Sequence, residues 1–91
     1  MPTRVRGNFT DRGRGMSKLV LIDANSLEKI LLKLGFDKTR QRGSHAFYRH
    51  TDGRTTTIPF HVGKDLPRPL LREILREINI SIEEYNSLRD A

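Results

Sequence analysis

The stretch FDKTRQRGSHAFYRHTDGRTTTIPF, residues 36–60, decides the fold. It is rich in β-branched and aromatic side chains and is cut twice by turn residues, at Gly43 and at Asp52-Gly53. Residues 36–42, 44–50 and 55–60 therefore read as three consecutive strands, and connections this short make them antiparallel. Pro59 belongs at a strand end or on an edge strand, because it has no N–H to give to a ladder. Upstream, Leu27, Ile30, Leu31 and Leu34 fall at i, i+3, i+4 and i+7, the stripe of an amphipathic helix. Asn25 followed by Glu28 resembles a capping box, with Asp23 as a rival cap, and Gly35 is placed to end the helix. Downstream, a loop over 61–66 leads to a second helix that begins near Pro67 or Pro69, where proline suits a first turn. Asp65 reads as a cap for that helix, whose apolar stripe is Leu71, Ile74, Leu75 and Ile78. Ser81 and Glu84 repeat the capping pattern for a short terminal helix with Ile82, Tyr85 and Leu88. The expected fold class is α+β, in the order α-β-β-β-α plus a short C-terminal helix. Its three-stranded antiparallel sheet carries two helices on one face and leaves the other open to solvent.

The 91 residues, 35% apolar and 31% charged, allow one small domain with a core but no large enclosed cavity. Cysteine is absent, which excludes thiolate metal sites and thiol chemistry and fits a reducing compartment. No apolar run approaches the roughly 20 residues that span a bilayer. The arginine- and glycine-rich start lacks the apolar stretch of a secretory signal, so a cytoplasmic protein with no membrane contact is expected. Residues 1–18 read as a disordered basic arm, or as a tag or early-start extension, since Met16 can itself begin a chain. Residues 19–91 form the folded domain. The formal net charge of +6 divides into +4 over residues 1–18, −1 over 19–37, +6 over 38–76 and −3 over 77–91. A basic centre beside an acidic tail points to a polyanion more strongly than a high isoelectric point does. A solvated charged face is the ordinary alternative.

The basic centre holds the histidines. Strand alternation puts His45, Phe47 and Arg49 on one face, assigned to solvent, and Ser44, Ala46, Tyr48 and His50 on the other. The same alternation puts Lys38, Arg40 and Arg42 together on one face of the first strand, so that three cations line up beside the His45 imidazole if that face is the open one. Such a set suits phosphodiester chemistry. Cleavage of RNA needs a base for the 2′-hydroxyl proton, an acid for the leaving 5′-oxygen, and cations for the charge on phosphorus. Histidine titrates near neutrality and can serve either proton step. Arginine, lysine and the backbone N–H groups near Gly43 and Ser44 supply the electrostatic part. No carboxylate cluster has metal-ligand spacing, so a metal-independent route without a small-molecule cofactor is preferred. A strand histidine is ordinarily a surface or packing residue, however, and the residues alone leave both readings open. His50 sits at a strand end before a turn, and His61 opens the loop towards the second helix. Phe47, Tyr48 and Phe60 are candidates for base stacking or, more ordinarily, for the core.

Taken in order, Leu34-Gly35-Phe36, Arg40-Gln41-Arg42-Gly43-Ser44-His45, Tyr48-Arg49-His50, Thr57-Ile58-Pro59-Phe60-His61, Lys64-Asp65-Leu66, the Leu71–Arg76 helix and Ile80-Ser81-Ile82-Glu83-Glu84-Tyr85 make a series. From about Leu27 through Tyr85 it resembles the HicA family, toxins of type II toxin–antitoxin pairs. The resemblance implies a fold like a double-stranded-RNA-binding domain and cleavage of mRNA as an endoribonuclease. It also implies neutralisation by a HicB-type antitoxin, and it places the catalytic histidine at His45. On this reading Lys38, Arg40, Arg42, Gly43, Ser44 and Arg49 bind RNA, with Lys64 and Arg68 as weaker contributors. A non-catalytic double-stranded-RNA-binding module is the alternative, and a pure protein-interaction domain a third reading. Residues before 20 have no counterpart in the family pattern.

Overall fold

A computed structural model describes residues 18–61 and 63–90; the expected basic arm therefore lies outside the described residues, apart from the exposed Lys18. The elements run α1 (Ala24–Lys33), β1 (Asp37–Arg42), β2 (His45–Arg49), β3 (Thr55–Pro59), α2 (Arg68–Glu77) and α3 (Ile82–Asp90). The three strands form one antiparallel sheet in the order β1-β2-β3, as the turn spacing predicts.

Local chemistry sets the ends of the helices. Asp23 caps α1, its carboxylate accepting the Ser26 N–H at 2.9 Å, and these bonds hold its pKa below the usual carboxylate range. The expected capping box at Asn25 is corrected in favour of its rival Asp23, because Asn25 already lies inside the helix. At the other end Phe36 N–H reaches the Leu31 carbonyl and Gly35 N–H the Leu32 carbonyl, with Gly35 at φ +96°. This Schellman closure needs the left-handed conformation that glycine adopts without strain. α2 ends the same way, with Asn79 at φ +60° and Ile80 N–H on the Leu75 carbonyl. Its start differs from expectation. Pro67 is the N-cap and makes no side-chain capping bond, while Asp65 pairs with Asp23 in an isolated antiparallel bridge. Ser81 caps α3 through Glu84 N–H at 3.0 Å.

The helices cover one face of the sheet. Ala46 and Tyr48 on β2 and Thr56 and Ile58 on β3 point into a core with Leu27, Leu31, Phe36, Leu71, Ile74, Ile78 and Tyr85. Several polar groups at its edges are paired. The Tyr48 hydroxyl donates to Glu28 Oε2 at 2.6 Å, and Lys38 Nζ lies 2.9 Å from the same oxygen. Thr56 Oγ1 donates to Glu77 at 2.7 Å. Arg54 stacks on Phe36, grips Asp52 through Nε and donates to the Ile78 carbonyl at the end of α2. The start of the described chain is held by side chains of α2 and α3: Arg68 donates to the Leu19 carbonyl, Tyr85 to Val20 and Asn86 to Lys18. No helix among the described residues is long and apolar enough to cross a membrane.

The Glu28 group makes a pH prediction. Its carboxyl is held below the ordinary value of 4.5, chiefly by the Tyr48 hydroxyl and then by Lys38, against the opposing effect of burial. A depressed folded pKa gives stability that is complete above the unfolded value and lost as pH falls through the folded one. Glu28→Gln is expected to lower unfolding stability at pH 7 by about 1–2 kcal/mol. It should also flatten the acid limb below pH 4.5, as urea unfolding measured across pH would show.

Candidate active site

β1 and β2 meet through the two-residue turn Gly43-Ser44, with Arg42 and His45 as the closing pair. Gly43 has φ +57°, and Ser44 is not among the residues with positive φ. This is the pattern of a type II′ turn, whose first central position favours glycine and whose twist matches the strands. The turn puts His45 at the first position of β2, on the face away from the helices.

That open face can be read row by row from the strand register. Arg42, His45 and Pro59 form the row nearest the turn; Arg40, Phe47 and Thr57 the next; Asp37, Arg49 and Thr55 the last. His45 and Arg49 are exposed and Phe47 is half-buried. The Arg40 guanidinium lies over the Phe47 ring, 4.7 Å from its centroid, which uses the aromatic as a platform for the cation. The His45 side chain makes no hydrogen bond or ion pair among the described residues, and neither do those of Arg42 and Arg49.

Lys38 is not on this face. The ladder slips between Lys38 and Arg40, where a bulge lets β1 pass one extra residue, and Thr39 Oγ1 contacts the Phe47 carbonyl at 3.3 Å. The slip reverses the alternation. Lys38 pairs with Tyr48 and turns to the helix side, where it meets Glu28, Gln41 Oε1 at 3.4 Å and the Phe60 ring at 5.7 Å. The expected row of three cations beside the imidazole is therefore corrected to Arg40 and Arg42, with Arg49 further along β2.

The other histidines separate clearly. His50 is structural: Nε2 lies 3.2 Å from the Leu34 carbonyl, Nδ1 accepts the Asp52 N–H at 3.1 Å, and the ring meets Phe36 edge-on. His61 is exposed at the same end of the sheet as His45, because Phe60 N–H donates to the Ser44 carbonyl at 2.6 Å and His61 follows at once. Lys64, also exposed, lies in the turn that His61 opens, its N–H 3.3 Å from the His61 carbonyl. Arg68 is instead in the first turn of α2, with its guanidinium on the Leu19 carbonyl at 2.8 Å. Tyr48 and Phe60, both considered for stacking, lie on the helix side. There, burial and the neighbouring Glu28 carboxylate push the Tyr48 hydroxyl pKa well above its ordinary range. Among the described residues no group of three or more His, Asp or Glu is placed to hold a metal ion.

The exposed His45 imidazole thus stands at the tip of a hairpin, on an open cationic sheet face. The family described as the HicA toxin of bacterial toxin–antitoxin systems matches residues 24–80, from the start of α1 to just before α3. By class the protein is the toxin half of a toxin–antitoxin pair. More narrowly, it belongs to the HicA toxin family, and membership implies a cognate antitoxin. No curated protein matches the chain.

The turn itself can be tested. A Cβ on Gly43 would meet nothing within 4 Å, so any cost of Gly43→Ala comes from φ alone. We expect a loss of about 1–2 kcal/mol in urea unfolding. D-alanine at the same position, introduced by peptide ligation, should recover it, because its backbone prefers positive φ.

Proposed function

We propose that this toxin is an endoribonuclease that cleaves mRNA without a metal ion or other cofactor, blocks translation, and is neutralised by a HicB-type antitoxin. One observation carries the reading: of the two histidines in and beside β2, His50 is occupied by structural contacts, whereas His45 is exposed, unpartnered and flanked by Arg42. A group left free on a basic surface is available to substrate. His45 acts as general acid/base on the 2′-hydroxyl or the 5′-oxygen leaving group. Arg42, Arg40 and Arg49 hold the phosphates on either side and offset the charge that builds on phosphorus. Phe47, already carrying Arg40, gives a nucleobase an aromatic edge to rest on. Lys64 adds positive charge from the loop beyond β3. Lys38 and Arg68 support the fold that presents these groups.

His45→Ala is expected to lower cleavage of a labelled single-stranded RNA in EDTA by about 100- to 10,000-fold. Its circular dichroism spectrum and unfolding midpoint should not change, since the side chain is exposed and outside the core. Undiminished cleavage by the variant would remove His45 from the mechanism. Binding by the wild-type protein with no new fragments would favour the non-catalytic module instead.

The phosphate contacts have a separate signature. Each cation that displaces a counterion from single-stranded RNA adds about 0.7 to the slope of log K against log salt. Arg40→Ala and Arg42→Ala, made on the inactive His45→Ala background, should each reduce that slope by about this amount. Lys38→Ala should leave it unchanged and lower stability instead. Equal slopes for all three variants would contradict the division made by the bulge.

A further inference from the structure

The two edges of the sheet are built differently. β1, at one edge, has the sequence DKTRQR and carries the bulge. Charged side chains and an irregular register are the usual devices that keep an edge from pairing with another chain. β3, at the other edge, reads TTTIP, with no charge in five residues and an unbroken register against β2.

The direction of its free groups follows from the ladder. Phe60 N–H bonds to the Ser44 carbonyl and His50 N–H to the Arg54 carbonyl, so the hydrogen-bonded positions of β3 are 54, 56, 58 and 60. The N–H and C=O of Thr55 and Thr57, and the C=O of Pro59, therefore point away from β2. Among the described residues no backbone hydrogen bond takes them up. Pro59 falls in the outward register, where its missing N–H costs the ladder nothing. Thr55 is exposed and Thr57 half-buried, so the edge is open to a partner.

We propose that an acidic β-strand of the partner antitoxin adds to the free edge of β3 and extends the sheet to four strands. Charge selects this occupant over a second copy of the chain. The open-face residues of an added strand would lie beside Thr55, Thr57 and Pro59, whose short side chains do not block the way to Arg49 and His45. Two strand spacings come to about 10 Å, a gap that carboxylate and guanidinium side chains close between them. Glutamates there meet the unpaired Arg49 and compete with RNA for the same cations. Another copy of a chain with net charge +6 would instead bring like charge to that face. The proposal rests on the toxin–antitoxin reading but not on the chemistry of His45. It is tested by binding, so its failure would leave the catalytic assignment standing.

The probe is an end-blocked eight-residue peptide of alternating valine and glutamate, added to the isotope-labelled full chain and followed by amide hydrogen exchange. At saturation the Thr55 and Thr57 amides should exchange at least tenfold more slowly. The same peptide with every amide N-methylated, and a valine–lysine peptide, should give no protection. Thr57→Pro removes an outward N–H without breaking a bond to β2; it should fold with the wild-type circular dichroism spectrum and lose the protection at Thr55. The N-methylated control reads the same contact without altering the protein. Absence of protection with the glutamate peptide would overturn the proposal, as would equal protection by the lysine peptide. Protection already present in the free protein, with a dimer in sedimentation, would overturn it in favour of a second copy.

Discussion

A sheet covered on one side must send alternate residues into its core, and in this protein a single extra residue decides what that rule delivers to solvent. Without the slip between Lys38 and Arg40, those two side chains would share a face. With it, the ammonium turns inward and two guanidiniums turn outward. Each side gains. Glu28, half-buried at the rim of the core, receives a cation and a hydroxyl, which offset the cost of taking a carboxylate out of water. The open face receives Arg40 and Arg42 in adjacent rows, one braced on Phe47 and the other beside His45. Stability and an outward cationic surface are thus supplied by neighbouring residues of one strand that do not compete for the same position.

The same economy separates the histidines. His50 joins the end of α1 to the β2–β3 turn by two backbone contacts and an aromatic edge, and a Cβ on Gly35 would come within 3.2 Å of its Nε2. It is a rivet between layers, and glycine is needed both for the helix ending and for room beside that ring. His45, five residues earlier, has no such neighbours. Its position is set by the backbone alone, through a two-residue turn that leaves the side chain free to meet a ligand.

Much of this was readable in the sequence, for definite physical reasons. The stripes of α1 and α2, the glycine ending of α1, the Ser81 cap and the three strands with their turns all arise from local periodicity and local backbone preference. Nothing in the composition of DKTRQR marks a bulge, since the slip comes from pairing with β2 and from the way Lys38 reaches Glu28, ten residues earlier. The contest between Asp23 and Asn25 was also beyond local pattern. Both are good caps, and the chain's bridge to Asp65 fixes where the helix begins. Arg68 read as a cation near the site, but its role depends on Leu19, a partner 49 residues away. His45 stood out by residue type and surroundings. What the sequence could not show was that His50 is engaged elsewhere, which is what singles His45 out.

The contacts that fasten Lys18, Leu19 and Val20 join the start of the described residues to α2 and α3, across as many as 68 residues. A chain made from its N-terminus cannot close this clasp until Tyr85 and Asn86 have been synthesised and have cleared the ribosomal tunnel. The hairpin bearing His45 emerges before that moment, backed by α1 but not yet by α2 and α3. Completion of the fold therefore waits for the last of these helices, and an unfinished copy is held open by the order of its own synthesis.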